Sequence, residues 1–212
     1  MQQTIKVAVI GGTGKAGSYL VKELLNQGYQ VKILLRRPEL YTHAHPSLKI
    51  VTGDIIHYET AHELIAGCDV VISTLGQKKD EPLVSSLATN HIIRAMNECH
   101  IRRYILVSGL SIDLPGDKKS PWVLEASVFM RQTFPVVMAD KEKAFTILSD
   151  SDLEWTLARL PFIIQTEDHG QLAVDLTDCP GDHINTNDLA EFLVQQVTDR
   201  KYIRQAPFVA SV

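Results

Sequence analysis

The chain has 212 residues, 45% of them hydrophobic, and a net charge of −4. That suffices for a single domain, residues 1–212, with a full core, and the weak acidity excludes a surface built to neutralise nucleic-acid phosphates. No apolar run reaches the roughly 18 residues of a membrane span, and Cys68, Cys99 and Cys179 are too scattered for a zinc site or a disulfide framework, so a reducing cytoplasmic setting is expected.

The elements are predicted in chain order from the switch between short β-branched runs and longer amphipathic ones. IKVAVI reads as a strand, YLVKELLNQG as a helix ending on Gly28, and QVKILL as the next strand. LKIVTGD, DVVISTLG and RRYILVSG continue the strands, with AHELIAG and VSSLATNHIIRAMNECH as helices between them. This is the βαβ pattern of an α/β fold, a Rossmann-like doubly wound parallel sheet with helices on both faces. Residues 111–137 break the pattern with three prolines, Trp122, Phe129 and Phe134, and are expected to form an irregular substrate-side segment with a short helix before a helix resumes near Met138. DKEKAFTILSDSDLEWTLARLPFI reads as helix then strand. NTNDLAEFLVQQV reads as a last helix, with Thr186 or Asn187 as its N-cap and Glu191 near its first turn. A small C-terminal substrate-side extension completes the fold.

Between the first strand and the first helix lie two overlapping glycine spacings, Gly12-x-Gly14-x-x-Gly17 and Gly11-x-x-Gly14-x-x-Gly17. Glycines there permit a tight turn, close backbone approach to a pyrophosphate and close helix–strand packing, while the helix-start amides face the anion. An acidic residue at the end of the second strand would bind the ribose of NAD; this chain has Arg36 and Arg37 there. Guanidiniums pair with a 2′-phosphate, so NADP(H) is favoured over NAD(H). Gly53-Asp54 places a carboxylate where an adenine amino group could donate to it, and Ser73-Thr74-Leu75-Gly76 ends another strand beside the ribose.

GGTGKAG, LLRRP, VTGD, STLG, VSG, DKEKAFTILSDSDLEWTLARLPFI and NTNDLAEFL together resemble the atypical short-chain dehydrogenase/reductases, in particular the NmrA-like proteins and the biliverdin-IXβ/flavin reductases. The resemblance implies that Gly11, Thr13, Gly14, Lys15, Ala16, Arg36, Asp54, Ile55, Leu75, Gly76, Ser108, Lys141, Pro161 and Phe162 line the cofactor, with Ser108 and Lys141 the catalytic candidates. Phe162 stands where the flavin/biliverdin reductases have a histidine.

Typical members of the superfamily use Tyr-x-x-x-Lys. With Lys141 at the lysine, Val137 falls at the tyrosine, and no tyrosine of the chain has a lysine four residues on. Reduction of a simple ketone needs a positioned acid worth 10²–10⁴-fold in rate. A flavin, quinone or linear tetrapyrrole spreads the added charge over its own ring and needs chiefly positioning, so such a small planar acceptor is expected, under a lid of Trp122, Phe129 and Phe134. The alternative is a non-catalytic NADP(H)-binding, redox-sensing regulator that meets a protein partner through 113–135. No nucleic acid, membrane or metal is expected, and the sequence does not separate a monomer from a homodimer.

Overall fold

The computed structural model describes residues 4–77 and 83–212. Its first half lays down parallel strands: Lys6–Ile10 (β1), Gln30–Leu35 (β2), Leu48–Thr52 (β3), Val70–Ser73 (β4) and Arg103–Gly109 (β5). The intervening helices are Lys15–Asn26 (α1), Tyr58–Ile65 (α2) and Ser85–Glu98 (α3). Pro121–Thr133 (α4) and Pro135–Ser149 (α5) lead into Glu154–Leu160 (β6). Short strands follow, Phe162–Ile164 (β7), Leu172–Asp175 (β8) and His183–Asn185 (β9), then Thr186–Gln195 (α6) and Phe208–Ser211 (β10).

These strands form one sheet in the order β3-β2-β1-β4-β5-β6-β10-β9-β7, with β8 paired to β10. The run β3-β2-β1-β4-β5-β6 is parallel throughout, so the sheet is Rossmann-like and its order reverses between β1 and β4. The C-terminal extension belongs to the same sheet: β10 lies parallel to β6 and antiparallel to β8 and β9. Side-chain alternation along β1 divides the core. Val7 and Val9 pack with Leu20 and Leu24 of α1 and Phe192 of α6, whereas Ala8 and Ile10 pack with Leu64 of α2, Ile92 of α3 and Leu148 of α5.

The helix ends follow local chemistry. At the end of α1 the Gly28 amide donates to Leu25 and the Tyr29 amide to Leu24, both at 3.0 Å, the paired bonds of a Schellman ending. Segment 111–137 is more regular than its composition predicts. Pro121 and Pro135 each open a helix, because a proline in the first turn removes only an amide that has no intrahelical partner there. Phe134, at φ −131° and ψ 52°, is the sole break between α4 and α5. Helix α6 starts one residue earlier than expected, with Asn185 at its N-cap and Asp188 as the acid of its first turn. Thr186 is buried and bonds the Thr166 backbone instead of capping.

Candidate functional site

Gly11 leaves β1 at φ +81°, and a Cβ on it would lie 2.8 Å from the Thr74 backbone. A Cβ on Gly17 would stand only 2.0 Å from the Gly11 carbonyl oxygen, so strand end and helix start touch through bare backbone. The Gly14 amide donates to the Gly11 carbonyl at 2.9 Å, closing the turn. Thr74 Oγ1 lies 3.2 Å from the carbonyls of Ile10 and Gly11 and ties the end of β4 to the same turn. Gly11, Gly14 and Gly17 therefore carry the turn geometry, and Gly12 is buried beneath it against Val21.

Helix α1 begins at Gly14 with no side-chain cap and no acidic residue in its first turn. Its amide dipoles thus point out of a cradle that any side chain would fill, which is the fit a pyrophosphate requires. Thr13 and Lys15 are exposed at the rim and Ala16 is buried below it.

At the next strand ends Arg36 and Arg37 are exposed after β2. Arg36 Nη1 stands 3.9 Å from Asp54 Oδ2, and Asp54 Oδ1 accepts the Ile56 amide at 3.2 Å. Asp54 thus faces the Arg36 guanidinium. Ile55 is 3% exposed and packs into the core.

A cavity of about 370 Å³ opens at the carboxyl ends of β4, β5 and β6. It brings together Gly14, Lys15 and Ala16 of the turn, Thr74, Leu75 and Gly76 after β4, and Ser108, Lys141 and Pro161. Gly11, Thr13, Arg36, Arg37, Asp54, Ile55 and Phe162 stand outside its wall. Phe162 is 71% exposed; strand alternation turns the next residue, Ile163, inward in its place.

Lys141 has no hydrogen bond or ion pair among the described residues, and burial holds its ammonium pKa below the usual lysine range. Its neighbour Asp140 is buried and committed elsewhere: it accepts from the Ser85 amide at 2.8 Å and Ser86 Oγ at 2.5 Å, capping α3 and fixing it against α5. Val137, one turn before Lys141, offers no proton. The one phenol in the wall among the described residues is Tyr104, and burial pushes its pKa well above the usual range.

The segment that follows Ser108 and Gly109 is stapled by buried charge. Arg159, 0% exposed, bonds Asp117 at 2.7 Å and the carbonyls of Ala206, Ile112 and Leu176, and stacks on Phe208 with its guanidinium carbon 3.6 Å from the ring centre. Lys119 adds bonds to the carbonyls of Leu110 and Ile112. The segment after Gly109 is therefore tied to β6 and β10. The expected aromatic lid does not form: Trp122 and Phe129 are exposed on α4, and Phe134 is half-buried at the junction with α5. Sequence reasoning missed Ser85, Thr89, Tyr104 and Phe145 in the cavity wall. Their only signal was helical or strand spacing with a wall residue already in view.

A family model described as NAD(P)H-binding matches residues 11–200. Cinnamoyl-CoA reductase 1 from Petunia hybrida is 31% identical over 127 residues, 54% of this chain and 38% of that one. Photosystem II assembly factor Ycf39 from Synechocystis is 24% identical over 208 residues, 91% of this chain and 58% of that one, so the chain spans well under two thirds of either relative. Among solved structures, a short-chain dehydrogenase/reductase from Veillonella parvula in complex with NADP superposes with a TM-score of 0.81 at 15% identity, covering 99% of this chain and 95% of that one. A Rossmann-fold NAD(P)-binding family protein from Shigella flexneri gives 0.76 at 17% identity, covering 99% and 94%. Both likenesses are of fold.

Proposed function

The chain belongs to the NAD(P)H-binding family, and from that premise we propose that it is an NADPH-dependent oxidoreductase whose acceptor is a conjugated ring such as a flavin, a quinone or a linear tetrapyrrole. The observation that carries this reading is a cavity that joins the glycine turn to Ser108 and Lys141 and whose one phenol among the described residues is the buried Tyr104, with valine rather than tyrosine four residues before Lys141. When bound, the dinucleotide supplies a hydride to the acceptor ring, and water supplies the proton that completes the reduction.

The chain's own residues bind and orient. The Gly11–Gly17 turn takes the pyrophosphate and Arg36 the 2′-phosphate, with Arg37 its neighbour. Thr74, Leu75 and Gly76 flank the adjoining ribose. Ser108 holds the carboxamide or the acceptor by a hydrogen bond, and Lys141 donates from a desolvated ammonium to hydroxyls at the mouth. Pro161 backs the ring. A simple ketone would lack its acid here, whereas a ring that delocalises the incoming charge does not need one.

The test is NADPH consumption by purified protein with FMN, a benzoquinone and biliverdin in turn, alongside a simple ketone. Turnover with at least one conjugated acceptor and none with the ketone is expected; no turnover with any conjugated acceptor sinks the reading. The regulator alternative is favoured by one feature, the exposed Trp122, Leu124, Val128 and Phe129 on α4, a surface suited to a protein partner. Tight nucleotide binding without turnover, with a stoichiometric protein partner, would select it.

A further inference from the structure

Strands β2 and β3 end level with each other. Leu35 pairs with Thr52 in the parallel register, and the Gly53 amide donates to the Leu35 carbonyl at 3.0 Å, so Arg36 and Asp54 leave the sheet side by side. Asp54 is fixed there from its backbone outward. Its carbonyl accepts the His57 amide at 3.1 Å and its Oδ1 the Ile56 amide at 3.2 Å, in the turn that leads into α2, while Ile55 beside it is buried. The other carboxylate oxygen, Oδ2, stands 3.9 Å from Nη1 of Arg36.

At that distance the two groups are within ion-pair reach and beyond hydrogen-bond reach, and their side chains are 50% and 30% exposed. An exposed pair of this kind orders a guanidinium only weakly, because water and side-chain entropy oppose the attraction. Charge acts at longer range than a hydrogen bond. A phosphate monoester about 4 Å from the same guanidinium would lie at most about 8 Å from the Asp54 carboxylate and would carry nearly two negative charges. In water, two charges at about 8 Å repel a carboxylate as strongly as one charge at about 4 Å, which changes an affinity by about fivefold. Repulsion of the phosphate therefore outweighs any help that Asp54 gives in aiming Arg36.

We propose that Asp54 is a specificity-determining residue that limits the preference for NADPH over NADH: its fixed carboxylate partly neutralises Arg36 and repels the 2′-phosphate that the guanidinium attracts. The proposal rests on the reading of Arg36 as the partner of that phosphate. A contact between Asp54 and the adenine amino group would be the same for both nucleotides, so it cancels in their ratio. The charge does not cancel, because NADH has no phosphate at that position.

The test is equilibrium titration of the wild-type protein, Asp54→Asn and Arg36→Gln with NADP⁺ and with NAD⁺, at low and at physiological salt. Asparagine keeps an oxygen for the Ile56 amide and removes the charge. In D54N the ratio of NADP⁺ to NAD⁺ affinity should rise about fivefold at about 10 mM salt and about twofold at about 150 mM, where the screening length has fallen to about 8 Å. NAD⁺ affinity should stay within about twofold of wild type. An unchanged or lower ratio in D54N overturns the proposal, and so does a rise that salt does not reduce, which would mark a change of shape rather than of charge. Should D54N fail to fold, Asp54→Ser, which also keeps an oxygen for that amide, is read in the same way. The Arg36 variant separates the two failures. A ratio that R36Q lowers and D54N does not raise removes Asp54 alone; a ratio that R36Q leaves unchanged removes Arg36 as the phosphate partner and the role of Asp54 with it.

Discussion

A methyl group at position 17 has nowhere to go. Its carbon would lie 2.0 Å from the Gly11 carbonyl oxygen and 2.8 Å from Thr74 Oγ1, so Gly17→Ala must push α1 away from the strand ends. Overpacking of that kind costs about 1–3 kcal/mol, or roughly 2–12 °C in Tm at this chain length, and NADPH affinity should fall more than about tenfold as the amides lose their aim. Calorimetry and nucleotide titration read the two effects, and wild-type affinity in G17A would rule out this turn as the phosphate cradle. Arg36→Gln should weaken NADPH by about tenfold to a hundredfold, the range of a charge-assisted hydrogen bond, while NADH binding stays level. An equal loss for both nucleotides would remove Arg36 from the 2′-phosphate. Lys141 acts on stability as well as on the site. Because its folded pKa lies below its unfolded value, folded and unfolded chains hold the same proton at neutral pH and the folded state bears the full penalty of a desolvated charge; through the alkaline window between the two values the unfolded chain binds more protons and stability rises with pH. Lys141→Met should therefore raise Tm at pH 7, by about 2–4 °C for each kcal/mol recovered, with the gain shrinking as the pH climbs towards the ordinary lysine pKa. Melting curves across that range check the sign.

At the level of elements, the segment between β5 and α4 is tied to β6 by one buried pair. The side chains of Arg159 and Asp117 are 1% and 10% exposed, and Asp117 lies in the segment between β5 and α4. Removing one partner of a buried pair leaves the other uncompensated, at about 3–5 kcal/mol. Asp117→Asn should thus lower Tm by roughly 6–20 °C and, by hydrogen exchange, loosen the backbone of 110–120 first. Uniform loosening of the whole chain would mean that the pair does not act as a local staple. The sequence made β1 to β6 legible because each is a short apolar run and β1, β3, β4 and β5 lead into helices, and it made the glycine turn legible because two overlapping glycine spacings coincide with a strand end. Arg159 was hidden within TLARLP, where one charge in an apolar strand gives no hint of an acid forty-two residues earlier. Helix α4 was hidden by its prolines, which read as loop signals until their place in the first turn is known. The stripes Ser85–Ile92 and Lys141–Leu148 were visible as helical faces, but nothing in either says that they pack against each other.

Over the whole molecule, the least legible feature is the route of the last strand. Strand β10 lies between β6 and β9 rather than at the sheet edge, and its register against β8, Phe208 to Asp175 through Ser211 to Leu172, joins segments that no local pattern links. A four-residue strand makes this joint because Phe208, Val209 and Ala210 are fully buried there, and Phe208 also forms the platform on which Arg159 stacks. Burial of one large apolar side chain contributes about 1.5–3 kcal/mol, and a domain's whole margin is about 5–15 kcal/mol. Deleting residues 207–212 therefore removes apolar burial comparable with the lower end of that margin, strips β6 of its neighbour, and leaves the Arg159–Asp117 pair open to water. The truncated chain should show no cooperative melt by circular dichroism and should not retain nucleotide, although every residue of the glycine turn is intact. A sharp transition within about 5 °C of the full chain would show instead that the parallel half of the sheet folds alone, and the β7–β10 extension would then be an appended wall rather than part of the cooperative unit.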